Sequence, residues 1–442
     1  MAFSTVVRKT LASAGALGLL CVSACSGAGL GAAASTTIRV GVDLPLSGPE
    51  GAAGLQALNG VRFFVQQHAR IDDYAVALAV ADDAGGKAPD PQLGAANVAG
   101  FAADASVVAV IGPFDSAVAR QEIPIANAAS LAMISPAASS PCLTQDLYLP
   151  AALNPYRTPI TCKVAGLPSA SELRPSHVNN FFRLAGTDAL QGPAAADYAF
   201  KTLKVLRAAV VSDHEAYGQA LAAAFTARFQ HLGGSVVGHL DVGTTAGADA
   251  TGFLKEMKAA GATAVYYGGS TATQGCAIRA QMSGIFDPGA ATPFLTGDGI
   301  ADDPGCVLAA GSNSAGILAT VPAAIGATSP AAIQAVAGFR TAFGRTEDYG
   351  PYTLLAVDSA AVVYAALDRA IHAAGDQVPE RGNVISQLSV TSEFAGATGS
   401  IGFDLAGDNT HPVVSIVEPT AADPRAQWTV VGSIDYSNAL PY

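Results

Sequence analysis

From Thr37 onward, short β-rich runs alternate with helical ones, and this alternation restricts the chain to few architectures. Ile38-Arg39-Val40-Gly41-Val42 predicts a strand, and Gly54 to Ala69 then places Leu55, Leu58, Val61, Phe64 and Val65 on a helical stripe. The unit recurs as strand Tyr74 to Val80, helix Gln92 to Ala102, strand Val107 to Ile111, helix Ser116 to Ala128 and strand Ala132 to Ser135. After residue 180 a second series begins: Ala208 to Ser212, Gly218 to Leu232, Ser235 to Leu240, Thr251 to Ala260, Ala264 to Tyr267, Gln274 to Ser283 and Pro293 to Thr296. Such alternation requires a parallel sheet with helices on both faces. Two doubly wound α/β lobes are expected.

The first 36 residues read differently. Arg8 and Lys9 precede an apolar run from Leu11 to Val22, which closes on Val22-Ser23-Ala24-Cys25 and is similar to the cleavage motif of bacterial lipoproteins. Residues 1–24 are therefore expected to be a lipoprotein signal peptide, and Cys25 the lipidated residue of an exported chain; an ordinary signal peptide cut nearby is the alternative. Residues 25–36, rich in Gly, Ala and Ser, read as a flexible tether. A net charge of -12 with 23 Lys plus Arg argues against nucleic acid, whose phosphates need clustered cations, and against charge-driven binding to anionic lipid. The expected membrane link is the lipid alone.

Of six cysteines, Cys21 falls in the signal peptide and Cys25 takes the lipid, which leaves Cys142, Cys162, Cys276 and Cys306. An even number in an exported chain favours disulfides. The local connectivity, Cys142 with Cys162 and Cys276 with Cys306, closes the shortest loops; no two of the four have zinc-site spacing, so no metal is expected. Residues 139–180 contain six prolines and the first cysteine pair with little periodicity, and read as a disulfide-tied insertion, either decoration or a flap over a cleft.

The strand and loop Val40-Gly41-Val42-Asp43-Leu44-Pro45-Leu46-Ser47-Gly48-Pro49 resembles the opening of the leucine/isoleucine/valine-binding family of type I periplasmic solute-binding proteins. Further matches follow in the family's order: Asp82-Asp83, Val110-Ile111-Gly112-Pro113, Ile134-Ser135-Pro136-Ala137-Ala138-Ser139, Phe181-Phe182-Arg183, Asp188 with Gln191-Gly192-Pro193, Tyr217-Gly218, Val265-Tyr266-Tyr267-Gly268-Gly269 and Gly297-Asp298-Gly299. The resemblance implies a Venus-flytrap fold in which three crossovers join the lobes. On it, lobe 1 comprises 37–184 and 302–405, and lobe 2 comprises 185–301 and 406–442. It also places Arg183 at a crossover, where an ion pair would bias opening, and makes the Asp82-Asp83 pair structural.

Independently of any family, ligands bind open parallel sheets at the carboxyl ends of strands, where helix N-termini favour anions. Ser116 and Ser139 both follow such strands, and helix capping is the competing role for either. The resemblance assigns Ser116 to a ligand carboxylate, Ala137 and Ser139 to backbone and hydroxyl contacts, and Tyr217 to an aromatic lid. Two positions depart from the family pattern: Ala53 precedes Gly54 where an aromatic residue is usual, and Thr273 stands where the acid that holds an α-ammonium belongs. Asp298 is the substitute acid; alternatively the ligand is an amine-free carboxylic acid or amide. The implied function is capture of a small polar ligand and delivery to an ABC permease, by a monomer with no cofactor and no catalytic residue. An extracytoplasmic sensor signalling to a partner is the alternative. No nucleophile elbow, Walker A loop or zinc-protease motif occurs.

Overall fold

A computed structural model of the protein describes residues 37–438 except 245–246, 271–272, 287–291, 302, 327–328, 346–347 and 421–427; the expected signal peptide, tether and Cys25 lie outside the described residues. The first series runs β1 (Thr37–Leu44), α1 (Gly51–Gln67), β2 (Arg70–Ile71), β3 (Tyr74–Asp82), α2 (Pro91–Ala103), β4 (Val107–Ile111), α3 (Ser116–Ala128) and β5 (Ala132–Ser135). The insertion follows with the short hairpin β6 (Leu147–Leu149) and β7 (Ile160–Thr161), and β8 (Phe181–Arg183) closes the series. The first sheet has the order β2-β3-β1-β4-β5-β8, parallel except for the edge strand β2.

β1 lies in the middle of that sheet and is buried on both faces from Val40 onward. On one side Ile38, Val40, Val42 and Leu44 pack with Leu58 and Val61 of α1. On the other, Val107, Val110 and Met133 pack with Val98 and Phe101 of α2 and Ile123 of α3. The helices start where capping chemistry directs: the Asp90 carboxylate accepts from the N–H groups of Gln92 and Leu93 with Pro91 following, and Asp115 accepts from those of Ala117 and Val118. Asp82 accepts from the Leu46 N–H, the Ser47 hydroxyl and the Ala84 N–H, so it ties the loop after β1 to the loop after β3.

The second series comprises α4 (Gln191–Asp197), β9 (Arg207–Ser212), α5 (Ala216–His231), β10 (Ser235–Asp241), α6 (Thr251–Ala259), β11 (Ala264–Gly268), α7 (Gly275–Gln281), β12 (Phe294–Thr296), α8 (Pro304–Ala310) and β13 (Ile317–Val321). The chain then returns to the first lobe as α9 (Pro330–Phe343), α10 (Thr353–Ala373), α11 (Arg381–Ser389) and the small hairpin β14 (Phe394–Ala395) with β15 (Ser400–Ile401). It ends in the second lobe as β16 (Val413–Pro419) and β17 (Trp428–Asp435). The second sheet has the order β10-β9-β11-β12-β13-β16-β17, with β16 and β17 antiparallel. Adjacent tyrosines on β11 show the two-residue period: Tyr266 packs with Phe225 and Phe229 on one face, and Tyr267 with Met257, Ile278 and Phe294 on the other.

One expected boundary is corrected. The expected first-lobe segment 302–405 includes residues 303–321, yet β13 pairs with β12 and β16, and Cys306 on α8 is disulfide-bonded to Cys276 on α7. The return to the first lobe therefore follows Val321. The physical reason is β13 itself, an apolar strand buried along its whole length whose ladder partners lie only in the second sheet. The other disulfide joins Cys142 to Cys162 within the insertion.

Three crossovers connect the lobes, after β8, after β13 and before β16, and they are laced together. The Gly186 N–H donates to the Pro322 carbonyl (2.6 Å), and the Ser415 hydroxyl donates to the Ala323 carbonyl (2.7 Å). At their centre Arg183, fully buried, donates from Nε to Asp408 Oδ1 at 2.7 Å, from Nη1 to the carbonyls of Ala138 and Ser140, and from Nη2 to the Thr144 hydroxyl. Gly407 makes this approach possible: its φ is +92°, and a Cβ there would lie 2.1 Å from the Phe181 carbonyl oxygen. Breaking a buried ion pair by removing one partner strands the other charge. Arg183→Ala is expected to lower the free energy of urea unfolding by about 3–5 kcal/mol, and Asp408→Asn by less, because an amide still accepts from Arg183.

Candidate functional site

The carboxyl ends of the two sheets bring most of the expected site residues onto one hydrogen-bonded chain. In the first lobe, Asp115 is the cap of α3, which leaves the Ser116 hydroxyl out of the capping; it accepts from the Ser140 N–H at 3.1 Å and keeps its own proton to donate. Ala137 and Ala138 are held by their N–H groups on the Ser135 hydroxyl, which in turn donates to the Pro113 carbonyl. The Ser139 carbonyl accepts from the Asp188 N–H at 2.9 Å, and its side chain hydrogen-bonds the Asp188 carboxylate.

From Asp188 the chain of bonds continues into the second lobe. Gln191 Nε2 donates to both Asp188 Oδ1 (3.0 Å) and Asp298 Oδ1 (2.9 Å), while its carbonyl accepts from the Asp298 N–H and the Thr320 hydroxyl. The Tyr217 hydroxyl donates to Asp298 Oδ1 at 2.6 Å and accepts from the Gly299 N–H. Tyr217 is placed by Gly218, where a Cβ would lie 2.4 Å from the Gly268 carbonyl oxygen, so the first turn of α5 presses against the end of β11. Tyr217 and Asp298 are thus joined directly, Ser139 is linked to them through Asp188 and Gln191, and Ser116 is attached one residue along the same loop, at Ser140.

Asp188 and Gln191 were visible in the sequence only as family matches, without a role. Their spacing of three, one helical turn, was the available signal. Thr273 is turned into its own loop: its hydroxyl accepts from the Ser270 N–H, and its carbonyl accepts from the Tyr267 hydroxyl. Asp188, Tyr217 and Asp298 are packed about by protein yet keep part of their surface open to solvent. Burial and the neighbouring Asp298 push Asp188 up to about 7. Burial likewise raises Asp298, against the hydrogen bonds from Tyr217 and Gln191, and holds the Tyr217 hydroxyl well above its ordinary value, so it remains a donor. Among the described residues no lysine or arginine forms an ion pair with Asp188, Asp213 or Asp298. A cavity of about 340 Å³ opens behind the crossovers, lined by Gln145, Thr187, Asp408 and Tyr436, and none of the five expected ligand residues lines it.

Under the first-lobe edge, Asp43, Asp83 and Glu122 are buried, with one oxygen of each within 4.8 Å of the others. Asn97 donates to Asp43 Oδ1, but both oxygens of Asp83 and of Glu122 lack a donor. As three carboxylates they would be acceptors facing acceptors. A proton resolves this, and the contact between Glu122 and Asp43 becomes a hydrogen bond once one of them carries it. Burial raises Asp43 to about 6, Asp83 to about 8 with the help of Asp43 beside it, and Glu122 well above the carboxylate range.

The family model described as "Periplasmic binding protein" matches residues 37–418. Leu/Ile/Val-binding protein homolog 1 of Brucella abortus is 28% identical over 411 residues, 92% of this chain and 95% of that protein. Among solved structures, a leucine binding protein LivK from Thermotoga maritima superposes with a TM-score of 0.64 at 23% identity, covering 90% of this chain and 98% of that one. A solute-binding protein of an ABC transporter from R. palustris, solved with 4-hydroxybenzoate, has a TM-score of 0.66 at 18% identity, covering 90% and 97%.

The buried acids set the sign of a pH dependence. Their folded values lie above the unfolded value near 4, so between about pH 4 and pH 8 the folded state holds more protons than the unfolded chain. Stability from these groups is fully present below the unfolded value and is lost as pH rises through 6 to 8. The urea midpoint is expected to fall from about pH 5 to about pH 8, and Glu122→Gln to flatten that slope.

Proposed function

The chain belongs to the periplasmic binding protein family, and on that premise we propose that it is a lipid-anchored, extracytoplasmic receptor that captures a small α-amino acid between its lobes and hands it to an ABC importer. The lipid is carried on Cys25, and the tether lets the two lobes work at the membrane surface. No covalent chemistry takes part. The ligand enters an open form, the second lobe adds its contacts, and the closed form gains population through its higher affinity.

One observation carries the choice of ligand class: two acids, Asp188 and Asp298, lie about Tyr217 on the second-lobe side, and no lysine or arginine among the described residues forms an ion pair with either. A ligand ammonium supplies the missing charge. The opposite side offers the Ser116 hydroxyl at the N-terminus of α3, which suits the ligand carboxylate. The Thr273 hydroxyl is spent within its own loop, so Asp298 is the acid for the amine.

An amine-free acid is the competing ligand, and a solute-binding protein of the same fold was solved with 4-hydroxybenzoate. Thermal unfolding in the presence of α-amino acids and of amine-free acids separates the two, since a ligand of the folded form raises the midpoint. The expected result is a rise with an α-amino acid that Asp298→Asn abolishes. A rise with amine-free acids alone would remove the amino-acid assignment.

A further inference from the structure

We infer that Arg120 and Tyr148 form an anion-reading subsite beside Ser116, through which the disulfide-tied insertion makes a ligand carboxylate obligatory. The inference rests on the reading of the space between the sheet edges as the ligand site.

Arg120 lies four residues after Ser116 on α3, hence on the same helix face, and helical side chains lean toward the N-terminus where Ser116 stands. It is half-buried, and its guanidinium makes no hydrogen bond or ion pair among the described residues. The groups within electrostatic reach are Asp115 and Tyr148. Asp115 is engaged already, since its Oδ1 caps the N–H groups of Ala117 and Val118. The guanidinium's five N–H donors therefore meet no protein acceptor among the described residues, in a partly desolvated place that an arriving anion would suit.

Tyr148 comes from β6 of the insertion. It forms a buried cluster with the Cys142–Cys162 disulfide, and Ala220 of α5 packs against that cluster, so the insertion, which leaves the first lobe, reaches the second. Leu149 and Leu153 extend the contact onto Ala189 and Ala224. The Tyr148 hydroxyl lies within electrostatic reach of Arg120 on one side and of Asp188 and Asp213 on the other, and it has no hydrogen-bond partner among the described residues. Burial holds this phenol above its ordinary value, so it stays a donor. A guanidinium one helical turn from the Ser116 hydroxyl and a phenol within electrostatic reach of that guanidinium, neither hydrogen-bonded among the described residues, recognise a carboxylate and give nothing comparable to its neutral amide.

The test uses the purified full chain and a panel of acids, each beside its primary amide: the common α-amino acids, short mono- and dicarboxylates, and aromatic acids such as 4-hydroxybenzoate. Titration calorimetry is expected to show an acid bound in preference to its amide. Arg120→Gln should weaken that acid by about ten- to hundredfold while leaving the amide unchanged. Arg120→Lys should keep part of the preference, and Tyr148→Phe should lose a smaller share of it. In the ligand-free protein Arg120→Gln should leave the thermal midpoint the same or higher, because it removes an unpaired, half-buried charge. Tyr217→Phe, which should weaken acids and amides alike, reports on the cleft itself. An acid preference that survives Arg120→Gln while Tyr217→Phe still weakens binding overturns the subsite and spares the cleft. So does a lowered ligand-free midpoint with equal losses for acid and amide, which would make Arg120 structural. If no acid or amide binds, the cleft reading falls and the subsite with it.

Discussion

The buried guanidinium of Arg183 is the interaction on which the two-lobed arrangement depends. It reaches four partners: Asp408 in the turn before the third crossover, the carbonyls of Ala138 and Ser140 in the loop after β5, and Thr144 at the base of the insertion. A charge out of water must be matched almost bond for bond, and the geometry that matches it leaves little freedom to the segments supplying the acceptors. The same side chain thus holds the crossover and the loop that carries Ser139. Gln145 donates to the other oxygen of Asp408, which adds the insertion to the clamp.

Charge is distributed unevenly around the cleft. The second-lobe side is acidic, with Asp188 and Asp298 sharing one amide donor from Gln191. Beneath the first-lobe edge a separate acidic group, Asp43, Asp83 and Glu122, is buried with oxygens that lack donors and that shared protons would satisfy. Arg120 is an unpaired cation on the first-lobe side, near the Tyr148 that the insertion contributes. The acidic and cationic sides suit the two ends of a small zwitterion, whereas the buried trio acts on the stability of the lobe.

Much of the fold was legible along the chain because apolar periodicity reports which faces are covered. Ile38, Val40 and Val42 are buried on β1, and the expected α2 differs from the structure by one residue at each end, whereas on the expected stripe of α1 Leu58 and Val61 are buried but Leu55 is exposed and Phe63 is buried in its place. β13 was not separated from the helices that follow it, since a short apolar run says that it is buried but not in which sheet. Site residues were legible to different degrees. Asp298 sits between two glycines in the loop after β12 and Tyr217 stands beside Gly218 in the first turn of α5, which mark them individually. Gln191, the amide that joins Asp188 to Asp298, carries no such mark, because its role exists only once residues 107 positions apart are in contact.

The sequence by itself determined the lobed α/β class and the loops that line the sheet edges, because each follows from periodicity or turn chemistry; it favoured the local cysteine pairing without fixing it. Only the tertiary structure decided which sheet receives β13, that Thr273 bonds within its own loop, and that the insertion brings Tyr148 across to α5. These are long-range matters. They depend on which buried donors meet which acceptors after the chain has crossed between lobes three times, and no window along the sequence contains both partners.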